Sequence, residues 1–260
     1  MLSLVTGASS GIGLQYATQL ARDYHSDLLL VSNQEVELKQ VANDLAAQYG
    51  VRTIAKYADL SQQDAAEQLF DYCEQEKLEV EVLINNAGVF FFNPYCDTSM
   101  RRIELMLNLH MVTTAKMCRL FGERMRERRR GYILNMSSMS AWMVMPGIQT
   151  YNATKAFIYN LSKSLWYELM PYGVHILVMT PGAVDTALFG LAPNLRKLAV
   201  NVSVSIPPEK LVKRALRKLF KTKKKSDMPG LINHLCTPIL KHTPDWIIRL
   251  AMHFVGKYQK

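Results

Sequence analysis

No apolar run in this 260-residue chain reaches the roughly 20 residues that a membrane-spanning helix needs. That argues against a helical membrane protein. Cysteine is scarce. Cys73, Cys96, Cys118 and Cys236 are scattered and lack metal-ligand spacing, so neither a metal site nor a disulfide framework is expected. Thiols used this way fit a reducing, cytoplasmic compartment. The opening MLSLVTGASSG lacks a basic leader and turns polar at once. It reads as a first β-strand rather than a signal peptide. No proline- or glycine-rich linker divides the first 185 residues, and no internal repeat is found. One domain spanning 1–260 is therefore expected.

Acidic residues are missing from 210–225, which carries nine basic ones, and RMRERRRG at 124–131 is a second basic cluster. The net charge is +9. Such runs are chiefly solvated helix faces. No nucleic-acid reader motif accompanies them, so no nucleic-acid partner is expected. Attraction to anionic lipid is the minority reading.

What is present is an ordinary globular composition, 49% hydrophobic and 20% charged. Short apolar runs alternate with helix-like segments. LSLVT (2–6), DLLLVS (27–32), VRTIAKYA (51–58), VEVLINNAG, GYILNMSS and GVHILVMTPG read as strands. Between them lie amphipathic stretches, including one long helix over about 99–127 and another over 150–170. This alternation implies right-handed βαβ units and a parallel sheet. Strands as apolar as DLLLVS fit a sheet covered on both faces. The fold class is α/β, a Rossmann-type doubly wound sheet over 1–186. A substrate-loop region is expected at 187–208 and a basic helical C-terminal extension at 209–260. The extension reads as one basic helix at 209–221 and two amphipathic helices at the end. Trp246, Ile247, Ile248, Leu250, Phe254 and Val255 lie near Arg249, Lys257 and Lys260. Peripheral contact with an anionic membrane is one reading; packing on the domain or on a second subunit is the other.

Tyr151 and Lys155 are spaced i, i+4 and so share one helical face, with Ser138 thirteen residues upstream. An ammonium beside a phenol is expected to lower the phenol pKa from about 10 and make it a usable acid or base. Thr6-Gly7-Ala8-Ser9-Ser10-Gly11-Ile12-Gly13 joins the first strand to the first helix. Its glycines permit a tight turn and close approach of a ligand, and the helix N-terminus suits a pyrophosphate. Asn85-Asn86-Ala87-Gly88 closes the fourth strand at the carboxyl edge of the sheet. Asp59 follows the third strand and is either an adenine acceptor or a turn residue. Pro181-Gly182 ends the sixth strand and Thr186 follows after Ala-Val-Asp, a segment that could meet a carboxamide.

TGASSGIG, NNAG, a serine thirteen before YxxxK, and PGxxxT occur in that order and at family spacing. On these motifs the chain resembles the short-chain dehydrogenases/reductases, over about residues 2–190. More loosely, its C-terminal part resembles the branch with long-chain 3-ketoacyl-CoA reductases and 17β-hydroxysteroid dehydrogenases. The resemblance implies a catalytic tetrad of Asn108, Ser138, Tyr151 and Lys155. In it tyrosine is the acid/base, serine orients the carbonyl, lysine binds ribose and asparagine holds a relay water. It also implies a cofactor shell of Thr6, Gly7, Ser9, Ser10, Gly11, Ile12, Gly13, Ser32, Asn33, Asp59, Leu60, Asn86, Ala87, Gly88, Pro181, Gly182, Val184 and Thr186, besides Tyr151 and Lys155. The family selects NAD with an acid after the second strand and NADP with a basic residue there or just before the second glycine of the motif. Ser32, Asn33 and Ser10 depart from both patterns; with no carboxylate to repel a phosphate, NADP is favoured over NAD. The expected activity is hydride transfer between nicotinamide and a small-molecule carbonyl/alcohol pair. A hydrophobic or acyl-type substrate is expected because the region after Pro181 is rich in Leu, Ala, Phe and Val and in this family closes over substrate; a segment that merely covers the core is the other reading. A homodimer or homotetramer is implied by the family. The alternative is a dinucleotide-binding sensor without turnover, for which the intact Ser-Tyr-Lys set would have no use.

Overall fold

The inner strands are continuous apolar runs because both of their faces are covered. The computed structural model describes residues 1–186, 205–230, 244–246 and 248–249. Its elements run β1 (Leu2–Thr6), α1 (Gly11–Tyr24), β2 (Asp27–Ser32), α2 (Glu35–Tyr49), β3 (Thr53–Tyr57), α3 (Ala65–Gln75), β4 (Val80–Asn85) and α4 (Met100–Leu107). Then come α5 (Thr113–Glu127), β5 (Gly131–Met136), α6 (Gln149–Leu169), β6 (Val174–Met179), β7 (Ala183–Val184), β8 (Ser205–Ile206), α7 (Pro208–Lys221) and β9 (Ser226–Asp227). Seven strands form one parallel sheet in the order β3-β2-β1-β4-β5-β6-β9. The winding reverses between β1 and β4, and a crevice opens there at the carboxyl ends of the strands.

Period-two alternation along each strand feeds two cores. On β2, Leu28 and Leu30 join the core beneath α1, α2 and α7, while Leu29 and Val31 join the core beneath α3, α5 and α6. Each such fully buried leucine contributes about 1.5–3 kcal/mol. Sheet and helices thereby form a stiff frame whose strand-to-helix loops emerge at the carboxyl edge of the sheet.

Three expectations need correction. The basic helix is a layer of the core rather than an extension. In α7, Leu211, Val212, Ala215, Leu216 and Leu219 are all fully buried and pack with the α1 core. Its basic side chains occupy the opposite face, where Arg214 Nη2 donates to Asp227 Oδ1 at 2.9 Å. A seventh strand, β9, was not anticipated, because two residues in a polar stretch carry no periodic signal. The long helix over 99–127 is interrupted by a wide π turn at Asn108–Val112. There the Thr113 N–H reaches back five residues to the Asn108 carbonyl. Insertions of this kind often mark functional sites.

Most of the expected substrate-loop region and most of the two terminal helices lie outside the described residues. Among the described residues no helix is long and apolar enough to cross a membrane, and no group of His, Cys, Asp or Glu could hold a metal ion.

Candidate active site

A cleft of about 320 Å³ opens where the winding reverses. Gly7, Ser9, Ser10, Gly11 and Ile12 form its floor between β1 and α1. Gly7 has φ +66°, and a Cβ there would lie 3.0 Å from the Ala87 Cα. Gly13 is closer still: a Cβ would sit 1.9 Å from the Gly7 carbonyl oxygen. Only glycine lets α1 begin this near the strand. Ser10 precedes the helix but makes no side-chain cap, so first-turn N–H groups of α1 are left for an anion. These features fit a dinucleotide pyrophosphate. Thr6 and Gly13 do not line the cleft. Thr6 is buried, and its Oγ1 accepts from the N–H groups of Asn86 and Ala87 at 2.9 and 3.0 Å. Thr6 thus sets the NNAG loop rather than touching its ligand.

At one end of the cleft stand Ser32, Asn33, Gln34, Ala58, Asp59 and Leu60. The Ser9 and Ser32 hydroxyls are 2.9 Å apart, and Ser9 donates to Gln34 Oε1 at 2.7 Å. This wall is neutral apart from Asp59. Burial works against ionisation of Asp59, yet hydrogen bonds from Gln62 and Ser61 outweigh it and hold its pKa low. Both carboxylate oxygens are engaged in that turn, at 2.7 and 2.8 Å.

At the other end are Asn86, Ala87, Gly88, Ser138, Tyr151, Lys155, Pro181, Gly182, Val184 and Thr186. β5 ends at Met136, so Ser138 starts the next loop with its Oγ accepting the Ser140 N–H at 3.2 Å. Ser137 Oγ donates to the Lys155 carbonyl at 2.7 Å and pins α6 beside that loop. Ser138, Tyr151 and Lys155 therefore converge. Asn108 does not line the cleft; it is half-buried at the head of the π turn.

The pKa reading from the sequence is overturned. Burial pushes the Tyr151 phenol up to about 12, opposed only by its hydrogen bond with Ser138. Lys155 is itself buried and pushed down to about 8. Its Nζ donates to the Met136 carbonyl at 3.0 Å and lies 5.4 Å from the centre of the Tyr151 ring. The ammonium is thus bound to backbone and set over the ring, and desolvation of the phenolate prevails.

Sequence reasoning missed Gln34, Ala58, Val89, Leu109, His110, Met136 and Ser137 on the cleft wall. His110 is the most connected of them. Its Nε2 accepts the Val89 N–H at 3.0 Å, and its Nδ1 lies 2.9 Å from Thr154 Oγ1. Its ring meets Tyr151 edge-on at 5.8 Å. Burial, then Lys155, hold its pKa well below the usual histidine value.

A family profile described as short chain dehydrogenase matches residues 2–194. A very-long-chain 3-oxoacyl-CoA reductase of Anas platyrhynchos is 34% identical over 72% of this chain and 60% of its own length. A 17-beta-hydroxysteroid dehydrogenase type 3 of Danio rerio is 30% identical over 99% of this chain and 82% of its own. The chain spans 60 to 62% of the length of several such curated relatives. Among solved structures, a short-chain dehydrogenase from Sphingobium yanoikuyae in complex with NADPH is 30% identical, with a TM-score of 0.79 over 88% of both chains. A 7beta-hydroxysteroid dehydrogenase structure has a TM-score of 0.84 at 27% identity, covering 96% of this chain and 95% of that one.

Proposed function

We infer, because this chain belongs to the short-chain dehydrogenase family, that it is an NAD(P)-dependent oxidoreductase interconverting a carbonyl and a hydroxyl group. The observation that carries the reading is the convergence of Ser138, Tyr151 and Lys155 on a cleft floored by the turn from Gly7 to Ile12. Gly7, Gly11 and the first turn of α1 would hold the pyrophosphate, and Lys155 the ribose hydroxyls. When bound, the nicotinamide supplies or takes the hydride.

The protein's own residues do the rest. Ser138 and Tyr151 present two hydroxyls side by side, which orient a carbonyl oxygen between them. With its pKa about 12, Tyr151 is protonated at neutral pH and can act as the acid. As the carbonyl carbon is reduced, the phenolic proton passes to the substrate oxygen and the electron pair stays on the tyrosine oxygen. The Lys155 ammonium then faces an anion in a buried setting, where the attraction is stronger than in water.

The substrate is a hydrophobic or acyl-type ketone. Val89, Phe90, Phe91, Met106, Met145 and Ile148 gather around Tyr151 as an apolar wall, with Phe90 edge-on to its ring at 5.1 Å. The names of the relatives, which point to acyl-CoA and steroid compounds, agree with such a wall. NADP is the favoured cofactor, since among the described residues lining this end of the cleft the only carboxylate, Asp59, is engaged by Ser61 and Gln62. The test is consumption of reduced cofactor with a panel of long-chain acyl, steroid and small polar ketones, with both NADPH and NADH. Turnover of small polar ketones alone would overturn the substrate class, and a strong preference for NADH would overturn the cofactor assignment.

A further inference from the structure

We propose that His110, with its ring proton on Nδ1, is a positioning residue that ties the loop after β4 to the helix carrying Tyr151. The inference rests on the enzyme reading above and deepens it.

The direction of the hydrogen bonds follows from chemistry. The Val89 N–H can only donate, so Nε2 of His110, 3.0 Å away, is the acceptor and carries no proton. The proton is then on Nδ1, which donates to Thr154 Oγ1 at 2.9 Å. Thr154 passes its own hydroxyl proton on to the Tyr151 carbonyl at 2.8 Å. One ring thereby joins 87–89, a wall of the cleft, to the backbone of the residue that supplies the phenol. The loop comes very close: a Cβ on Gly88 would stand 3.0 Å from His110 Nε2. An imidazolium would turn a second N–H toward the Val89 N–H and add a charge near Lys155. Burial and Lys155 both oppose that form. The π turn is what places this ring: it advances 108–112 so that His110 is buried between the loop and α6.

Two half-conservative variants separate the arms. His110→Asn keeps a donor near the Nδ1 position for Thr154 but cannot reach Val89. His110→Gln keeps an acceptor near the Nε2 position for Val89 but loses Thr154. Each arm lost is one hydrogen bond, or roughly a 2- to 12-fold effect. His110→Asn is expected to weaken cofactor binding by that factor with kcat nearly kept. His110→Gln is expected to lower kcat by that factor with the cofactor Kd nearly kept. Thr154→Val should match His110→Gln and add nothing to it, while Thr154→Ser should restore wild-type rates. Equal loss of kcat and binding in both histidine variants, or no loss in either, would overturn the proposal. The 15N shifts of the wild-type His110 ring need no variant and no substrate. They should show Nδ1–H and bare Nε2 from about pH 6 to 8; an Nε2–H tautomer or an imidazolium there would overturn it. If the wild type turned over no ketone, the enzyme reading would fall, while the cofactor-binding and ring-proton measurements would still decide the role of His110.

Discussion

Tyr151→Phe removes one oxygen and leaves a ring of the same shape. The ring is buried, edge-on to Phe90 at 5.1 Å and to His110 at 5.8 Å. Neither contact uses the hydroxyl. Ser138 loses one partner but still accepts the Ser140 N–H. Stability should therefore change by no more than about 1 kcal/mol. Cofactor affinity should hold within about twofold, because the glycine turn and Lys155 are untouched. What disappears is the proton source. A positioned general acid is worth about 10²–10⁴ in rate, or roughly 3–5 kcal/mol of barrier. The assay is the loss of reduced-nicotinamide absorbance at saturating ketone, with cofactor binding and thermal unfolding followed in parallel. A Tyr151→Phe enzyme with normal cofactor binding and clearly more than about a hundredth of wild-type kcat would refute the role of the phenol, since a drop of at least ~10² is required.

Further outcomes are expected from the same geometry. Lys155 has a pKa near 8 because burial disfavours its charge, so the ammonium is present below that pH and lost above it. The kcat/KM for cofactor, which reports groups of the free enzyme, should be level below about pH 8 and fall up to tenfold per unit above; a flat profile to about pH 10 would refute this assignment. Alcohol oxidation needs Tyr151 as a base, and at pH 7 only about 10⁻⁵ of a phenol of pKa about 12 is ionised. Its kcat/KM should rise with pH from 6 to 8 while that for reduction does not; equal, flat profiles would exclude the phenol as the proton carrier. Leu216→Ala in α7 should cost about 2–5 kcal/mol and lower the single unfolding transition of the whole domain. A separate early transition, with the main one unmoved, would show that α7 is not part of the core.

The sheet was legible because its strands are short apolar runs separated by amphipathic helices, and periodicity carries that information directly. β9 was not, since Ser226 and Asp227 owe their pairing to β6 and not to any pattern of their own. α7 was legible as a helix but not as core. Its nine-fold basic surroundings dominate the composition, while the five buried positions appear only once a partner face exists. In the cleft, the glycines and the Ser138–Tyr151–Lys155 set are marked by spacing. Thr6 and Gly13 belong to the same motif for a different reason: they shape the loop from behind. Asn108 and His110 expose the limit of spacing arguments, because a π turn shifts the helical phase and so changes which side chain faces the cleft. His110 could have been suspected only as an unexplained histidine in a helical stretch, LNLHMV, that is apolar apart from it and Asn108.

Tyr151 and Lys155 arrive in the cleft by the same route, since both sit on the buried face of α6 against the end of β5. Burial acts on them with opposite sign: it makes the phenol hold its proton more tightly and the ammonium hold its proton less tightly. The gap between the two pKa values, about 12 and about 8, is the reverse of what a surface Tyr–Lys pair would be given. At neutral pH both groups are nevertheless protonated, so the resting cleft contains an acid beside a cation, which is the state a carbonyl oxygen about to become an alkoxide requires. The frame that enforces this is apolar. Phe90, Met106 and Ile148 pack around Tyr151, and the same residues offer the surface on which a hydrophobic ketone would rest. Proton retention and the proposed preference for a hydrophobic ketone would therefore come from one set of side chains, and loosening that wall should weaken both together.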